Sequence, residues 1–244
     1  ELASRQENEA FLIAAHRALG STLFYRGEFE RAKEHCESVI AMTGEEGDGA
    51  TLIRDIYDVV DPRVTCRSYL SWILWMQGFP EKAKSESARA IALAERLEHP
   101  FSIALALSFA AWLEQFLGNA ARVEELASRS IAHCEAHGFG FWIGWDQVLL
   151  GWASAMQGAD PAEQVANINN GLAHWKEKGS ELGRGYFYSL LADVHLRAGE
   201  PVRAMELLTR ARTFMYERDE RYWEAERQRM SGDAELAMGT DAKQ

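Results

Sequence analysis

Proline is scarce in this sequence, and it contains neither a long apolar run nor a strand-like pattern. Only five of its 244 residues are proline, and no window of alternating β-branched residues lies between turn signals, so β-strands are not expected. No stretch of about 18 apolar residues occurs, which excludes a transmembrane helix. The first residues lack the basic start and apolar run of a signal peptide. With the abundance of Ala, Leu, Glu and Arg, these absences predict a helical protein of the cytoplasm.

The chain is also poor in basic residues. Its 26 Lys and Arg stand against 37 Asp and Glu, which gives a formal net charge of −11. A protein that binds nucleic acid normally carries a basic face, and anionic membranes attract basic surfaces by the same charge argument. We therefore expect neither a nucleic acid nor a membrane as a partner.

Cysteine is rare, and the cysteines lie far apart in the sequence. The three cysteines are Cys36, Cys66 and Cys134, an odd number with no two close in sequence. This pattern predicts free thiols in a reducing compartment. Each cysteine lies in a helical pattern, so we expect it to be a small buried apolar residue.

A repeated tryptophan is the most informative feature that is present. Trp72, Trp112 and Trp152 lie 40 residues apart, and a glycine follows each of them six residues later, at Gly78, Gly118 and Gly158. A fixed period of this length is typical of a solenoid built from stacked repeats.

Each repeat reads as two helices joined by a short turn. Apolar residues recur at three- and four-residue steps on both sides of a turn glycine, and proline falls where a helix is expected to begin. The turn glycines are Gly27, Gly78, Gly118, Gly158 and Gly199. We predict five helical pairs, at residues 10–43, 62–98, 100–137, 139–178 and 181–218.

Two stretches depart from this rhythm. Residues 43–61 form a longer connection, in which Leu52 to Tyr57 is expected to make one or two helical turns. After the last pair, residues 220–237 read as a capping helix and residues 239–244 as a polar tail. The sequence thus predicts a single array over residues 1–238.

The repeats resemble the tetratricopeptide repeat (TPR). Leu19-Gly20 and Leu150-Gly151 match the Leu-Gly pair of that motif, and in both repeats the turn glycine follows seven residues later. The small residues at which TPR helices cross are matched by Ala83, Ala90, Ala204 and Ala211. The resemblance implies an all-α fold, a right-handed α-solenoid of helix-turn-helix pairs.

A narrower resemblance covers roughly residues 10–236. Several segments look like the C-terminal TPR regions of large bacterial signalling proteins, which carry a class III adenylate/guanylate cyclase domain or another regulatory module and then a STAND-type ATPase domain. The cyclase and ATPase parts are not in this sequence, so the resemblance implies none of their activities. The segments begin at Ala15, Asp61, His99, Gly138, Gly183 and Tyr222.

The candidates for catalysis or metal binding are weak. Neither Gly138-Phe139-Gly140 nor Gly183-Arg184-Gly185 ends in the Gly-Lys-Ser/Thr of a phosphate loop, and both fall between helices. His133, Cys134 and His137 share a helix face that suits zinc, but histidine is favoured at a helix C-terminus in any case. We therefore expect no enzyme, no cofactor and no metal.

The TPR resemblance also implies that the first helices of the pairs line a concave face. If exposed there, aromatic residues would anchor an extended peptide or a helix of a protein partner. Alternatively, the tryptophans fill the gap between stacked pairs, and the sequence leaves both interpretations open. The predicted partner-binding residues are Arg17, Phe24, Trp72, Trp75, Trp112, Gln115, Trp145, Trp152, Tyr186 and Asp193.

The sequence therefore favours a non-enzymatic interaction and regulatory module, expected to be a piece of a larger bacterial signalling protein. Binding of a protein or peptide would shift the state of an attached effector domain. Two alternatives remain: a free-standing TPR adaptor or scaffold that assembles as a homo-oligomer, and a small-ligand sensor that uses the tryptophan-rich groove.

Overall fold

The computed structural model describes residues 9–44 and 60–241, and all regular secondary structure in these ranges is helical. The helical turns predicted within residues 52–57 lie outside the described residues. Eleven helices occupy the described ranges: α1 (Glu9–Tyr25), α2 (Phe29–Thr43), α3 (Pro62–Met76), α4 (Pro80–Arg96), α5 (Pro100–Phe116), α6 (Ala120–His137), α7 (Gly140–Met156), α8 (Pro161–Glu177), α9 (Arg184–Arg197), α10 (Pro201–Glu217) and α11 (Glu224–Asp241).

The helices fall into two compact units, and the single array over residues 1–238 stays a prediction. Unit 1 ends at Leu117 and contains α1 to α5, whereas unit 2 begins at Gly118 and contains α6 to α11. Four of the five predicted pairs lie within a unit: α1 with α2, α3 with α4, α7 with α8 and α9 with α10. The two helices predicted as the third pair belong to different units.

In unit 1, each helix packs against its neighbour, and the first helices of the pairs also pack against one another. α3 contacts α1, α2, α4 and α5, and every residue of α3 from Pro62 to Leu74 is buried. The second helix α4 instead buries a narrow stripe that includes Ala83, Ala90 and Leu93. The first helices therefore form an inner layer, with the second helices outside it.

Unit 2 repeats this arrangement. α7 contacts α6, α8 and α9, and α9 contacts α7, α8, α10 and α11. Ala204 and Ala211 of the second helix α10 are completely buried, as the small residues at TPR crossing positions should be. Residues of this size let two helix backbones come close together.

The predicted helix boundaries follow from proline and glycine. All five prolines are the first residue of a helix, where the missing N–H costs no hydrogen bond. The five turn glycines have positive φ angles, from 72° at Gly118 to 94° at Gly158, a backbone conformation that other residues resist. The predicted positions of proline at helix starts and of glycine in the turns are confirmed.

The glycine of the Leu-Gly pair has a separate role, which is to let the two helices of a pair approach closely. A Cβ atom on Gly151 would lie 2.7 Å from Cγ1 of Ile168 in α8. A Cβ atom on Gly20 would lie 2.8 Å from Sγ of Cys36 in α2. Real carbon atoms do not approach to these distances without displacement, so a side chain at either position would push the helices apart.

The cysteines behave as their spacing predicts. Cys36, Cys66 and Cys134 are all free and buried. Burial raises the pKa of the Cys134 thiol to about 11, so this side chain is an apolar core residue rather than a reactive thiol.

None of the helices in the described ranges is long and apolar enough to cross a membrane.

The capping helix α11 begins and ends later than predicted, at Glu224 and Asp241. Before it the chain turns through Asp219, whose φ is 56°, and this turn carries Glu220 into the interior. Glu220 is 3% exposed, and its Oε1 atom accepts a hydrogen bond of 3.3 Å from the backbone N–H of Gly183, just before α9. Burial raises the pKa of the Glu220 carboxyl to about 7, although the Gly183 bond and Arg218 oppose that shift.

Replacement of Glu220 by Gln tests this linkage. In the native chain the folded state holds a proton on Glu220 up to about pH 7, whereas the unfolded carboxyl loses it near pH 4.5. The free energy of unfolding should therefore fall as the pH rises through this window, with a contribution from Glu220 of up to about 3 kcal/mol. In Glu220→Gln the free energy of unfolding, measured by urea unfolding at pH 5, 6, 7 and 8, should fall less steeply with pH. Glu217→Gln, at an exposed position of α10, is the control; an unchanged pH slope in Glu220→Gln would contradict the assignment.

Candidate functional site

Trp72, Trp112 and Trp152, which lie 40 residues apart and are called the tryptophan ladder below, are buried and do not line a groove. Trp72 and Trp112 are 0% exposed and Trp152 is 4% exposed. Three other predicted partner-binding residues, Phe24, Trp145 and Tyr186, are also buried. These six rings cannot touch a partner in this structure, so the groove interpretation of them is corrected to the packing interpretation: the rings fill space between helices.

In unit 1 the ladder joins successive first helices. The ring of Trp72 in α3 stacks on that of Phe109 in α5, with centroids 4.1 Å apart and planes 5° from parallel. The Nε1–H of Trp72 donates a 2.9 Å hydrogen bond to the carbonyl oxygen of Phe109. Trp72 also contacts Phe24 of α1, at a centroid distance of 5.4 Å. One side chain therefore connects three helices.

In unit 2 the corresponding contacts are partly polar. The Nε1–H of Trp152 in α7 donates a 2.8 Å hydrogen bond to Oδ2 of Asp193 in α9. Burial raises the pKa of the Asp193 carboxyl, and this hydrogen bond opposes the rise. Trp145 of α7 contacts Phe187 of α9 edge to face, with centroids 5.5 Å apart. Aromatic residues again link first helices that are not adjacent in sequence.

The other four predicted residues differ in exposure. Arg17, Trp75 and Asp193 are half-buried, and Gln115 is buried. Trp75 stacks on Phe116, with centroids 4.8 Å apart. A partner-binding role for these four side chains stays a prediction.

The histidines and cysteine considered for zinc do not form a site. Nδ1 of His137 lies 2.9 Å from the carbonyl oxygen of His133, and Cys134 is buried in the core. Across residues 9–44 and 60–241, no three His, Cys, Asp or Glu side chains are placed to hold a metal ion.

A polar groove in unit 2, which the sequence analysis missed, is the candidate functional site. It has a volume of about 590 Å³. α7 packs against both α6 and α8, so it forms the floor, and the second helices α6 and α8 form the walls. None of the predicted site residues lines it. The described lining residues are Glu124, Ser128 and Ile131 of α6, Gln147, Leu150, Gly151 and Ser154 of α7, and Glu163, Gln164, Asn167 and Asn170 of α8.

The spacing of these residues explains why they face one groove. On each helix they recur at steps of three and four over two turns, which places them along one stripe. Two turns span about 10 Å. The close contact at Gly151 holds α8 against the floor, so the stripe on α8 is fixed relative to that on α7.

Neutral hydrogen-bonding groups dominate the groove. Four side-chain amides and two hydroxyls line it, and each amide both donates and accepts. Asn167 Nδ2 donates to Gln164 Oε1 over 3.1 Å, which orients two of the amides. Glu124 and Glu163 place one carboxylate on each wall. Glu124 Oε2 accepts a 2.7 Å hydrogen bond from Gln157 Nε2, just beyond the end of α7.

Substitution of Trp72 tests the packing role of the ladder. Trp72→Ala should lower the free energy of unfolding by about 3–5 kcal/mol, because it removes a fully buried ring and leaves a cavity between three helices. Trp75→Ala, which removes a half-exposed tryptophan of the same helix, should cost clearly less. If denaturant unfolding showed the same loss of unfolding free energy in both variants, the packing role would be contradicted.

Comparison with known proteins supports the fold. No family model matches the chain, and no curated protein matches it in sequence. Among solved structures it is similar to the putative kinesin light chain of Podosopora anserina with nearly identical TPR-like repeats, at 18% identity, and to a variant of that protein, at 17% identity. Both give a TM-score of 0.51 and cover 86% of this chain, which in turn covers 98% and 97% of theirs. The predicted fold class is confirmed: the chain has an all-α, TPR-like repeat fold of the α-solenoid class.

Proposed function

We propose that this protein is a non-catalytic interaction module that binds an extended segment of a partner protein in the amide-lined groove between α6 and α8. The TPR-like fold is generally a scaffold for protein interaction, and the groove is where the described side chains offer the chemistry for it. The observation that carries the proposal is the set of amides, which match the alternating N–H and C=O groups of a peptide backbone.

The composition of α8 supports a binding role for its amides. Asn167, Asn169 and Asn170 lie in the middle of this helix, where asparagine is unfavourable because its side chain competes for backbone hydrogen bonds. Two of the three line the groove. Residues that oppose the local structure without improving its packing are often retained for function.

The size and charge of the groove define the segment that it would take. A length of about 10 Å accommodates about three residues of extended chain, at roughly 3.3 Å per residue. The carboxylates of Glu124 and Glu163 on opposite walls favour a Lys or Arg side chain in the bound segment. The apolar surfaces of Ile131 and Leu150 would pack against the aliphatic part of such a side chain.

We infer further that this module acts within a larger bacterial signalling protein of the cytoplasm. The segments at Ala15, Asp61, His99, Gly138, Gly183 and Tyr222 resemble the TPR regions that follow STAND-type ATPase domains in such proteins. Occupation of the groove would then change the state of an attached effector domain. A free-standing TPR adaptor, self-assembled or bound to other proteins, is the alternative setting for the same groove.

A peptide selection tests the groove directly. A random 12-residue peptide library displayed on phage is selected against the native chain, and the affinity of the best synthetic peptide is measured by isothermal titration calorimetry. Asn167→Ala combined with Asn170→Ala should weaken binding about tenfold or more, because two backbone hydrogen bonds are lost. We expect the selected peptides to be enriched in Lys and Arg.

Asn169→Ala is the matched control. Asn169 lies on the same helix, but its Nδ2 donates to the carbonyl oxygen of Val165 at 2.8 Å, and it does not line the groove. Its substitution should leave the affinity unchanged. Binding that survives the double substitution, or that falls equally in Asn169→Ala, would place the peptide site elsewhere.

A further inference from the structure

A cavity of unit 2 lies where α9 ends and where α8 and α10 begin. It has a volume of about 460 Å³, within the range of small-molecule sites. α9 packs against both of the other helices, so its end forms the floor of the cavity and the beginnings of α8 and α10 form the walls. None of the described residues that line it also lines the amide-lined groove between α6 and α8.

The floor of the cavity holds a buried imidazole in a fixed orientation. His195 is 7% exposed, and its Nδ1 atom lies 2.6 Å from Oε2 of Glu200. Because a carboxylate only accepts, the Nδ1–H of His195 donates this bond. The backbone N–H of Glu200 in turn donates to the carbonyl oxygen of His195 at 2.9 Å. One neighbour therefore holds His195 by both its side chain and its backbone.

The second ring nitrogen of His195 is available to a ligand. The ring lines the cavity, and its Nε2 atom makes no hydrogen bond within residues 9–44 and 60–241. A buried polar atom normally has a partner. Because the Nδ1–H is bonded to Glu200, the neutral ring carries its lone pair on Nε2. The floor therefore offers a fixed acceptor to a ligand that donates a hydrogen bond.

Opposite charges stand on the two walls. Asp160 directly precedes α8, where an aspartate normally accepts a hydrogen bond from the first turn of the helix, but its side chain makes no such bond. Arg203 lies in the first turn of α10 and is exposed. In the part of the chain that the structure describes, neither side chain forms an ion pair, although both line the cavity. The carboxylate and the guanidinium are therefore both available to a ligand between them.

Part of the cavity surface is aliphatic. Pro161, Ala162 and Val165 of α8 line it, as does Ala198 directly after α9. These side chains carry no hydrogen-bonding group, so a ligand held at the two charges gains by placing an aliphatic part against them.

We propose that this cavity binds a small zwitterion, an aliphatic amino acid or very short peptide whose ammonium and carboxylate groups are both free. The ammonium donates to Asp160 and to Nε2 of His195. The carboxylate pairs with Arg203, whose planar fork matches two carboxylate oxygens. The aliphatic side chain packs against Pro161 and Val165. The requirement for both terminal charges distinguishes this site from the groove, which would take the backbone of an extended segment.

Calorimetric titration with L-leucine and with the dipeptide leucylglycine tests the site on the whole chain. At pH 7.5 and low ionic strength we expect saturable binding of one zwitterion per chain. Two analogues of L-leucine test each charge separately: 4-methylpentanoate lacks the ammonium, and 3-methylbutylamine lacks the carboxylate. Each should bind about tenfold more weakly or not at all, because each leaves one charged side chain of the cavity without its partner.

Substitutions assign this binding to the two walls. Asp160→Asn and Arg203→Gln should each weaken binding of the zwitterion about tenfold or more, because each removes one charged hydrogen bond. Both residues are exposed, so the variants should fold, and circular dichroism melting curves check that they do. Arg212→Gln is the matched control, since it makes the same change of charge at an exposed position of α10 outside the cavity.

Three results would overturn the proposal: no saturable binding of either zwitterion, an analogue with a single charge that binds as tightly as L-leucine, or equal weakening in Arg212→Gln. Tighter binding of L-leucine than of leucylglycine would support the site with a free amino acid as its ligand. The reverse order would support it with a short peptide as its ligand.

Discussion

Within each unit, contact between successive first helices is the constraint on which the rest of the structure depends. A second helix such as α4 buries only a narrow stripe of small residues, whereas α3 is buried along nearly its whole length. The contacts that bridge first helices are made by large rings: Trp72 lies between Phe24 and Phe109, and Trp152 is bonded to Asp193. The groove of unit 2 depends on such a first helix, because α7 forms its floor.

The parts of the fold that depend on local chemistry could be predicted from the sequence. Proline at a helix start and glycine at a helix end act through their own backbone geometry, so positions such as Pro161 and Gly158 marked the boundaries correctly. The Leu-Gly pair at Gly151 marked the place where two helices touch. The capping helix begins four residues later than predicted. The turn before it is buried at Glu220, which is bonded to the distant Gly183, and no local pattern reveals such a contact.

The sites could be predicted less well, and for two different reasons. A period of 40 residues places the tryptophans on equivalent helices, but it does not say which side of the helix faces the next one. The residues of the groove are dispersed between positions 124 and 170, and only the packing of α6 and α8 on α7 brings them together. One sequence signal of the groove was present, namely the three asparagines in the middle of α8. A search for the periodicity of apolar residues does not detect it.

The burial of the indole rings also determines the fluorescence emission of the protein. Seven of its eight tryptophans are buried, and Trp75 alone is half-exposed. An indole shielded from water emits at shorter wavelength than a solvated one. The folded chain therefore has an emission spectrum dominated by shielded fluorophores, and Trp75 is the ring within reach of a dissolved quencher. Loss of helix packing becomes visible as a shift of the emission to the red, without any attached label.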